Sequence, residues 1–255
     1  MGRAMTLRIL SLGWGVQSFT VAAMAALDEL PRFDFAVHAD TTWEHEGTYR
    51  FRQKWEPWLG EHGIKVVTTQ GRQIDTVDEH WNNSVLIPAF TVSSNGADGQ
   101  VRRQCTNRWK IAPIRRWIRE RIPNPKPGDV ECWMGISLDE FQRMRDSDVK
   151  YVTNVYPLVD RRMTRADCIL WLQNHGLEVP GKSSCVFCPY KSLGAWRALK
   201  RNGGGDWEVA VGVDQNIRGR RPQHGPLFVH PHRRPLPEAV TIPEDEGASQ
   251  LALEF

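Results

Sequence analysis

Two cysteines, Cys185 and Cys188, form a C-x-x-C motif in the stretch VPGKSSCVFCPY. This spacing lets two thiolates face one metal ion or one iron of a cluster, although such a pair also serves as a redox dithiol. Cys132 lies in an apolar predicted strand, which favours a buried and unreactive thiol. We therefore expect Cys105, Cys168, Cys185 and Cys188 to bind a 4Fe–4S cluster or a zinc ion; the alternative is that only the C-x-x-C pair is functional.

A second candidate site is Leu7–Thr20, where a short apolar run leads into a turn with two glycines and then into the start of a helix. A helix N-terminus directs unpaired N–H groups and the positive end of the helix dipole at one place, which suits a phosphate group. A plain tight turn also uses glycine. Residues elsewhere in the chain must decide between these two interpretations.

Carboxylates and cations follow two further predicted strands where those strands end. Asp40, Thr41, Trp43 and Glu44 follow the first of them. The second strand and a basic stretch contribute Asp139, Glu140, Arg143, Arg103, Arg108 and Lys110. Parallel strands would bring these groups to one sheet edge beside the glycine turn, where carboxylates could hold Mg²⁺ or a ribose and cations could hold phosphates. Helix capping and surface pairing, as between Glu140 and Arg143, are the alternative.

The elements that would position these groups alternate between strand and helix. Apolar runs predict strands at 33–39, 64–69 and 130–136 after the first run, and apolar periodicity predicts helices at 16–30, 48–62 (interrupted near Pro57), 110–121, 164–175, 192–201 and 207–216. This order predicts a mainly parallel, doubly wound α/β sheet of about four or five strands. The loop 93–99 consists of turn-forming residues and is expected to be irregular.

Composition limits the class of protein. The net charge is only +3, but arginines are clustered, which suits phosphate-bearing ligands or nucleic acid. Five cysteines fit metal or redox chemistry better than a disulfide framework. No run reaches the roughly 20 apolar residues needed to span a bilayer and no signal peptide is evident, so we expect a cytoplasmic protein without a membrane partner.

Several of these stretches together resemble one family, the PP-loop adenine-nucleotide enzymes related to phosphoadenosine phosphosulfate (PAPS) reductase. The resemblance covers about residues 7 to 200 and rests on the segments SLGWGVQS, ADTTWE, RQCTNRWKIAPIRRW, GISLDEFQR, MTRADCILWL and KSSCVFCPYKS. Members of this family reduce PAPS to sulfite, or use ATP to adenylate a substrate with release of pyrophosphate, often for sulfur transfer. Those near DNA phosphorothioation proteins, and some tRNA thiolation enzymes, carry iron–sulfur clusters.

The resemblance implies an adenine nucleotide, ATP or PAPS, bound with Mg²⁺. The expected nucleotide-binding residues are Ser11, Gly13, Gly15, Gln17, Ser18, Asp40, Thr41 and Arg103, and the expected catalytic residues are Asp40, Lys110, Asp139, Glu140 and Arg143. It implies domains at 1–149 (nucleotide-binding α/β), 150–217 (helical, cysteine-bearing) and 218–255 (a Pro/Arg-rich, then acidic tail, expected to be loop or poorly ordered). Expected partners are a nucleic acid or nucleotide substrate and a sulfur donor or electron-donor protein.

This chain departs from the family pattern at three positions. Trp14 and Thr42 stand where the family has glycine, and Gln17 stands where it has aspartate. The last cysteine is Cys188, whereas thioredoxin-dependent PAPS reductases use a cysteine near the C-terminus. We therefore expect adenylation coupled to sulfur transfer, with PAPS or adenylyl-sulfate reduction as one alternative and a non-catalytic nucleic-acid-binding protein with structural zinc as another.

Overall fold

The structure is a computed structural model that describes residues 6–71, 75–78, 84–92, 98–221 and 225–241. The chain divides into two compact units. The described residues up to 71, together with Lys110–Ser183, form the first unit; the second contains those from 75 to 109 and from 184 to 241. The segment 150–183 belongs to the first unit, and the domain boundaries expected at residues 149 and 217 stay a prediction.

Within the described residues the secondary structure is as follows. The strands are β1 (Leu7–Ser11), β2 (Phe35–Asp40), β3 (Val66–Gln70), β4 (Val77–Asp78), β5 (Ser84–Val85), β6 (Phe90–Val92), β7 (Asp98–Gln100), β8 (Val130–Met134), β9 (Val152–Val155) and β10 (Leu227–Phe228). The α-helices are α1 (Val16–Ala26), α2 (Glu46–Glu61), α3 (Ala112–Arg121), α4 (Pro157–Asp160), α5 (Arg165–Asn174), α6 (Leu193–Asn202), α7 (Gly205–Ile217) and α8 (Leu236–Ala239). A π-helical segment, Thr106–Ile111, precedes α3, and a 3₁₀ segment, Leu138–Arg143, follows β8.

The first unit is built on a five-stranded parallel sheet in the order β3-β2-β1-β8-β9. Alternate residues of β1 face opposite sides of this sheet: Leu10 packs in the core that contains α1, whereas Ile9 packs with Ile114 and Trp117 of α3. Helices therefore cover both faces, which confirms the predicted doubly wound α/β fold. Strand order reverses at β1, and in such sheets ligands bind beyond the carboxyl ends of the strands at this switch point.

Helix α1 is the central element of the first unit. All of its residues are buried, as expected for a helix enclosed by others, and it contacts α2, α4 and α5. The helix ends at Ala26, four residues earlier than predicted, and Asp28 in the following turn has a left-handed φ of 59°. The N-terminus of α1 is thus held in place by packing along its whole length.

Helix α2 runs through Pro57 without the interruption predicted from the sequence. Proline inside a helix costs about 3 kcal/mol because one hydrogen bond is lost. Phe51, Trp55 and Leu59 are buried along one face of α2, and each such side chain contributes roughly 1.5–3 kcal/mol. Burial of this face therefore outweighs the proline.

The second unit contains the antiparallel sheet β10-β6-β7, the pair β4-β5 and the helices α6, α7 and α8. Asp214 of α7 is fully buried and accepts hydrogen bonds from the N–H groups of Val229 and Leu236, while it also pairs with Arg218. Residues 218–255 were expected to be loop or poorly ordered, but β10 and α8 form there; residues 93–97 and 242–255 lie outside the described residues. No helix in the described part of the chain is long and apolar enough to cross a membrane.

Candidate functional site

The turn between β1 and α1 forms the glycine-bearing loop predicted from the sequence. Gly15 is the N-cap of α1 and has no side chain that could accept a hydrogen bond from the first N–H groups of the helix. The Gly13 N–H donates to Ser18 Oγ at 3.2 Å, and Ser18 Oγ donates to the Gly15 carbonyl at 3.3 Å. The turn is therefore fixed from inside, with the positive end of the α1 dipole at its open side.

Trp14 adopts a backbone conformation that is typical of glycine. Its φ is 56°, in the left-handed region that bulky residues rarely adopt. The indole is 1% exposed, and its ring centroid lies 6.3 to 6.4 Å from those of Phe19, His38 and Phe51. The backbone thus has the conformation that a glycine would adopt easily, and burial of the ring offsets the strain.

His38 connects the second strand to the start of the same turn. Its Nδ1 lies 3.0 Å from the Leu12 carbonyl, and the side chain is buried. Burial lowers the pKa of His38, so the ring is neutral and its Nδ1–H donates to that carbonyl. Sequence analysis missed His38, because nothing in its neighbours indicates a contact 26 residues away.

Ser183 holds the loop from the other side. Its hydroxyl donates to the Gly13 carbonyl, and a Cβ placed on Gly15 would lie 3.3 Å from Ser183 Cβ. Ser183 is the last residue of the first unit and belongs to the KSSC segment of the cysteine motif. The C-x-x-C motif predicts a metal or redox site, but no local pattern indicates a role for Ser183.

Gly135 brings the end of β8 against the first turn of α1. A Cβ on this residue would lie 2.5 Å from the Ser18 nitrogen and 2.6 Å from Ser18 Cα. No other residue fits there without displacing the helix backbone. The motif GISLDE contains this glycine, but the need for it follows from an approach between segments that are far apart in sequence.

Gln17 uses its amide to connect α1 with the segment after β8. Its Nε2 donates to Glu140 Oε2 at 3.2 Å and to Ser137 Oγ at 3.4 Å, and its Oε1 accepts from Arg165 at 3.0 Å. These contacts give Gln17 a part in holding the site together. Its expected role in binding a nucleotide stays a prediction.

The 3₁₀ segment after β8 carries three of the expected catalytic residues. Asp139 accepts the Arg165 N–H at 2.9 Å. Burial opposes ionisation of Asp139, but hydrogen bonds from Ser137 and the Arg165 backbone outweigh it and hold the pKa below its usual range. Arg143 pairs with Glu140 at 2.8 Å. The ion pair at spacing i, i+3, which the sequence offered as the alternative to a role in ligand binding, is therefore present.

The residues after β2 form a second polar group. Asp40 Oδ1 accepts from the Thr42 N–H at 2.8 Å and from the Tyr49 hydroxyl at 3.0 Å. Thr42, the other position where the family has glycine, has a left-handed φ of 57°. Thr41 and Glu44 lie beside Asp40 and are buried. The sheet order puts this group and the 3₁₀ segment on either side of β1.

The cysteines are divided between the two units. Cys132 and Cys168 belong to the first unit and are buried, and burial raises their pKa to about 12 and about 11. The inert role predicted for Cys132 is consistent with this environment. A buried thiol with a raised pKa forms a thiolate less easily, and the expected role of Cys168 as a metal ligand stays a prediction.

Cys105, Cys185 and Cys188 belong to the second unit, and the Cys188 N–H donates to the Cys185 carbonyl in a tight turn. Tyr190 lies near Cys188 and Cys105. Burial is the largest cause that raises the pKa of Tyr190; the Arg103 guanidinium opposes this rise, and the two cysteines add to it. Across the described ranges, however, no three or more His, Cys, Asp or Glu residues are grouped so that they could hold a metal ion. The four-cysteine site is therefore not assembled in this structure.

Arg103 also belongs to the second unit, where its Nε donates to Thr106 Oγ1 at 2.7 Å and its guanidinium lies 5.7 Å from the centre of the Tyr190 ring. The expected role of Arg103 in binding a nucleotide phosphate stays a prediction.

No protein-family model matches the chain, and no curated protein matches it. Solved structures that are similar to it include the following two. The first is PAPS reductase from Candida auris in a phosphate complex, with a TM-score of 0.46 and 11% identity over 69% of this chain and 76% of that chain. The other is the U34-tRNA thiolase NcsA from Methanococcus maripaludis with its 4Fe–4S cluster, with a TM-score of 0.42 and 15% identity over 84% of this chain and 75% of that one. Any conclusion about function must therefore come from the residues of this chain.

Proposed function

We propose that this protein is a PP-loop enzyme of the PAPS reductase-like kind that binds an adenine nucleotide, adenylates a substrate with release of pyrophosphate, and so prepares it for sulfur transfer. One observation carries the proposal. Gly15 provides no side-chain cap at the N-terminus of α1, and this terminus follows β1, the strand at the switch point of the doubly wound sheet. Such a position suits the phosphates of a nucleotide.

The proposed reaction has two steps. A carbonyl oxygen of the substrate attacks the α-phosphorus of ATP, the bond to the β-phosphate oxygen breaks, and pyrophosphate leaves. A sulfide donor then attacks the carbonyl carbon, and AMP leaves with the original oxygen. The substrate is a nucleobase, either in nucleic acid or in a free nucleotide, as the sequence resemblance suggests.

The polar groups on both sides of β1 would serve these steps. The α1 N-terminus would bind phosphate oxygens, and Lys110 would add a positive charge. Mg²⁺ binds ionised carboxylates, and Asp139, with its pKa held below the usual range, and Glu140 offer this chemistry. The ion would neutralise charge on the departing pyrophosphate.

An iron–sulfur or zinc site at Cys105, Cys168, Cys185 and Cys188 is the further part of the proposal. Since the described cysteines are not grouped to hold a metal, neither of the two steps above depends on it. Anaerobic purification followed by iron, zinc and acid-labile sulfide analysis tests this part separately. Stoichiometric zinc without iron would remove a cluster from the proposal.

Nucleotide binding is tested by a substitution that the fold tolerates. A Cβ on Gly13 would meet nothing nearer than Ser18 Oγ at 3.8 Å, so Gly13→Ala should fold normally while its methyl group blocks the approach of a phosphate to the backbone. We expect ATP affinity to fall at least about tenfold, as for the loss of a charge-assisted hydrogen bond. Gly60→Ala, on an exposed part of α2, is the matched control.

The reaction is tested by offering ATP and PAPS to the purified protein in separate assays, each with a mixture of tRNA and DNA as substrate. Release of pyrophosphate from ATP, lost in Gly13→Ala and retained in Gly60→Ala, is the expected result. Sulfite from PAPS without pyrophosphate from ATP would overturn the adenylation proposal in favour of a reductase. Salt-sensitive nucleic-acid binding with no turnover of either nucleotide would indicate the non-catalytic alternative.

A further inference from the structure

Glu44 is a buried carboxylate with only one of its two oxygens engaged. Its side chain is 2% exposed. Oε1 accepts from the Thr41 hydroxyl at 3.3 Å and from Lys110 Nζ at 3.2 Å. Oε2 is enclosed and has no hydrogen-bond partner among the described residues. Burying a carboxylate in this way is costly unless it is paired, so the pair with Lys110 is the feature that makes Glu44 tolerable.

Lys110 reaches Glu44 from the end of the π-helical segment, and its side chain remains 40% exposed. The Lys110 side chain therefore contacts a buried anion, and part of it remains accessible to solvent. Lysine is a point charge on a flexible four-carbon stem, and its position is not defined without such a partner. Glu44 itself is fixed by burial and by the Thr41 hydroxyl.

The pair lies close to the strand that holds the loop. Glu44 follows β2 by four residues, and its charge acts on His38 of that strand together with those of Asp40 and Arg52. His38 in turn binds the Leu12 carbonyl at the start of the loop. Glu44 thus holds Lys110 just beyond the carboxyl end of β2, the strand that pairs with β1.

We propose that Glu44 is a positioning residue, which holds the Lys110 ammonium where it can bind the phosphates of a nucleotide at the N-terminus of α1. This inference rests on the proposed function, because it requires that a nucleotide binds there. If Glu44 has this role, its effect on ligand affinity requires Lys110 and is confined to ligands that carry phosphate. A residue that only stabilised the fold would affect every ligand and would act whether or not Lys110 was present.

The test is a double-mutant cycle with Glu44→Gln, Lys110→Met and the combined variant, using ATP and adenosine as ligands in equilibrium binding. Gln preserves the shape of Glu44 and removes its charge. We expect Glu44→Gln to weaken ATP binding about tenfold, as for a charge-assisted hydrogen bond, and to leave adenosine binding unchanged. In the Lys110→Met background, Glu44→Gln should have no further effect.

The exposed pair Lys54–Glu178 is the matched control, since it joins the same residue types in the same unit with an N···O distance of 2.6 Å. Glu178→Gln should leave both affinities unchanged. Lys110→Met leaves the buried Glu44 carboxylate unpaired, which could unfold the protein. The combined variant removes the Glu44 charge as well, so its ATP affinity can then be compared with that of Glu44→Gln alone.

The outcomes separate the two proposals. If the wild-type protein binds neither ATP nor PAPS, the proposed function fails and this inference fails with it. If the wild-type protein binds ATP but the two substitutions act additively, or weaken adenosine as much as ATP, the proposed function stands and the positioning role of Glu44 is wrong.

Discussion

Ser183 donates its hydroxyl to the main-chain carbonyl of Gly13, so the segment that leads to the C-x-x-C motif holds the phosphate-type loop directly. Because the Gly13 N–H also donates to Ser18 Oγ, both main-chain polar groups of Gly13 are hydrogen-bonded. Ser183→Ala should weaken ATP binding about fivefold, since the loss of one such hydrogen bond is worth about 1 kcal/mol.

The control for Ser183 is Thr6, whose hydroxyl donates to the Gly128 carbonyl at 3.2 Å, away from the loop. Thr6→Val removes a bond of the same kind and should leave the ATP affinity unchanged. Equal losses of affinity in the two variants, measured by isothermal titration, would show that the Ser183 contact has no special connection with the ligand.

Because the backbone of Trp14 is left-handed, we expect a glycine variant at this position to be more stable than an alanine variant, which is the reverse of the usual order. Loss of its ring should cost about 3–5 kcal/mol in either Trp14→Gly or Trp14→Ala. Alanine keeps a Cβ in the left-handed region, at a cost of about 1–2 kcal/mol, whereas glycine does not; glycine in turn loses about 0.4–1 kcal/mol through the entropy of the unfolded chain. We expect Trp14→Gly to be the more stable variant by about 0.5–1 kcal/mol in urea unfolding.

Trp58, in the right-handed backbone of α2, provides the comparison. There the helix propensities make Trp58→Gly less stable than Trp58→Ala by about 1 kcal/mol. The same order at both positions would mean that the backbone of Trp14 is not strained in solution.

Gly135→Ala should separate the end of β8 from the start of α1. The added methyl group would overlap the Ser18 backbone, and overpacking of this kind costs about 1–3 kcal/mol. Both the melting temperature and the ATP affinity should fall, because the helix terminus must move. Gly60→Ala adds the same methyl group where nothing lies within 4 Å, and it should be neutral or slightly stabilising. A fully stable Gly135→Ala variant would contradict the close approach.

His230 makes the stability of the second unit depend on pH. It is 2% exposed, and burial lowers its pKa from 6.5 to about 4. Between these two values the unfolded chain binds a proton that the folded chain does not, so stability is lost as the pH falls through this window. From about pH 7 to pH 5 the loss should be about 2 kcal/mol.

In His230→Asn the side-chain oxygen can take the place of Nδ1, which accepts the His232 N–H. This variant should lose less stability than the wild type between the two pH values, as measured by urea unfolding. Parallel losses in the two proteins would assign the acid sensitivity to other groups.

The sequence was sufficient for the features that depend on local pattern. Apolar runs alternating with amphipathic helices predicted the parallel sheet. The helix predicted at 164–175 corresponds to α5, which Thr164 caps in a capping box with Asp167. The glycine turn before α1 was also found. These are properties of single segments, and the physical rules that govern them act over a few residues.

Features that depend on contacts between distant segments were not predicted. Ser183 and Gly13 are 170 residues apart, and Gln17 and Arg165 are 148 residues apart. The continuous course of α2 through Pro57 depends on the burial of Phe51 and Trp55, which local propensity does not contain. The burial of Cys168 in the core of the first unit also depends on such contacts, and its role as a ligand stays a prediction.

The position of β1 between β2 and β8 has a consequence for synthesis of the chain. β1 pairs with β2 soon after both are made, but its other neighbour begins at Val130. At ordinary rates of translation, roughly ten seconds pass between the synthesis of β1 and that of β8. During that time the edge of an apolar strand is unpaired and open to strands of other chains. Nascent chains that stop before Val130 should therefore aggregate or bind chaperones, whereas chains that extend past Met134 should not.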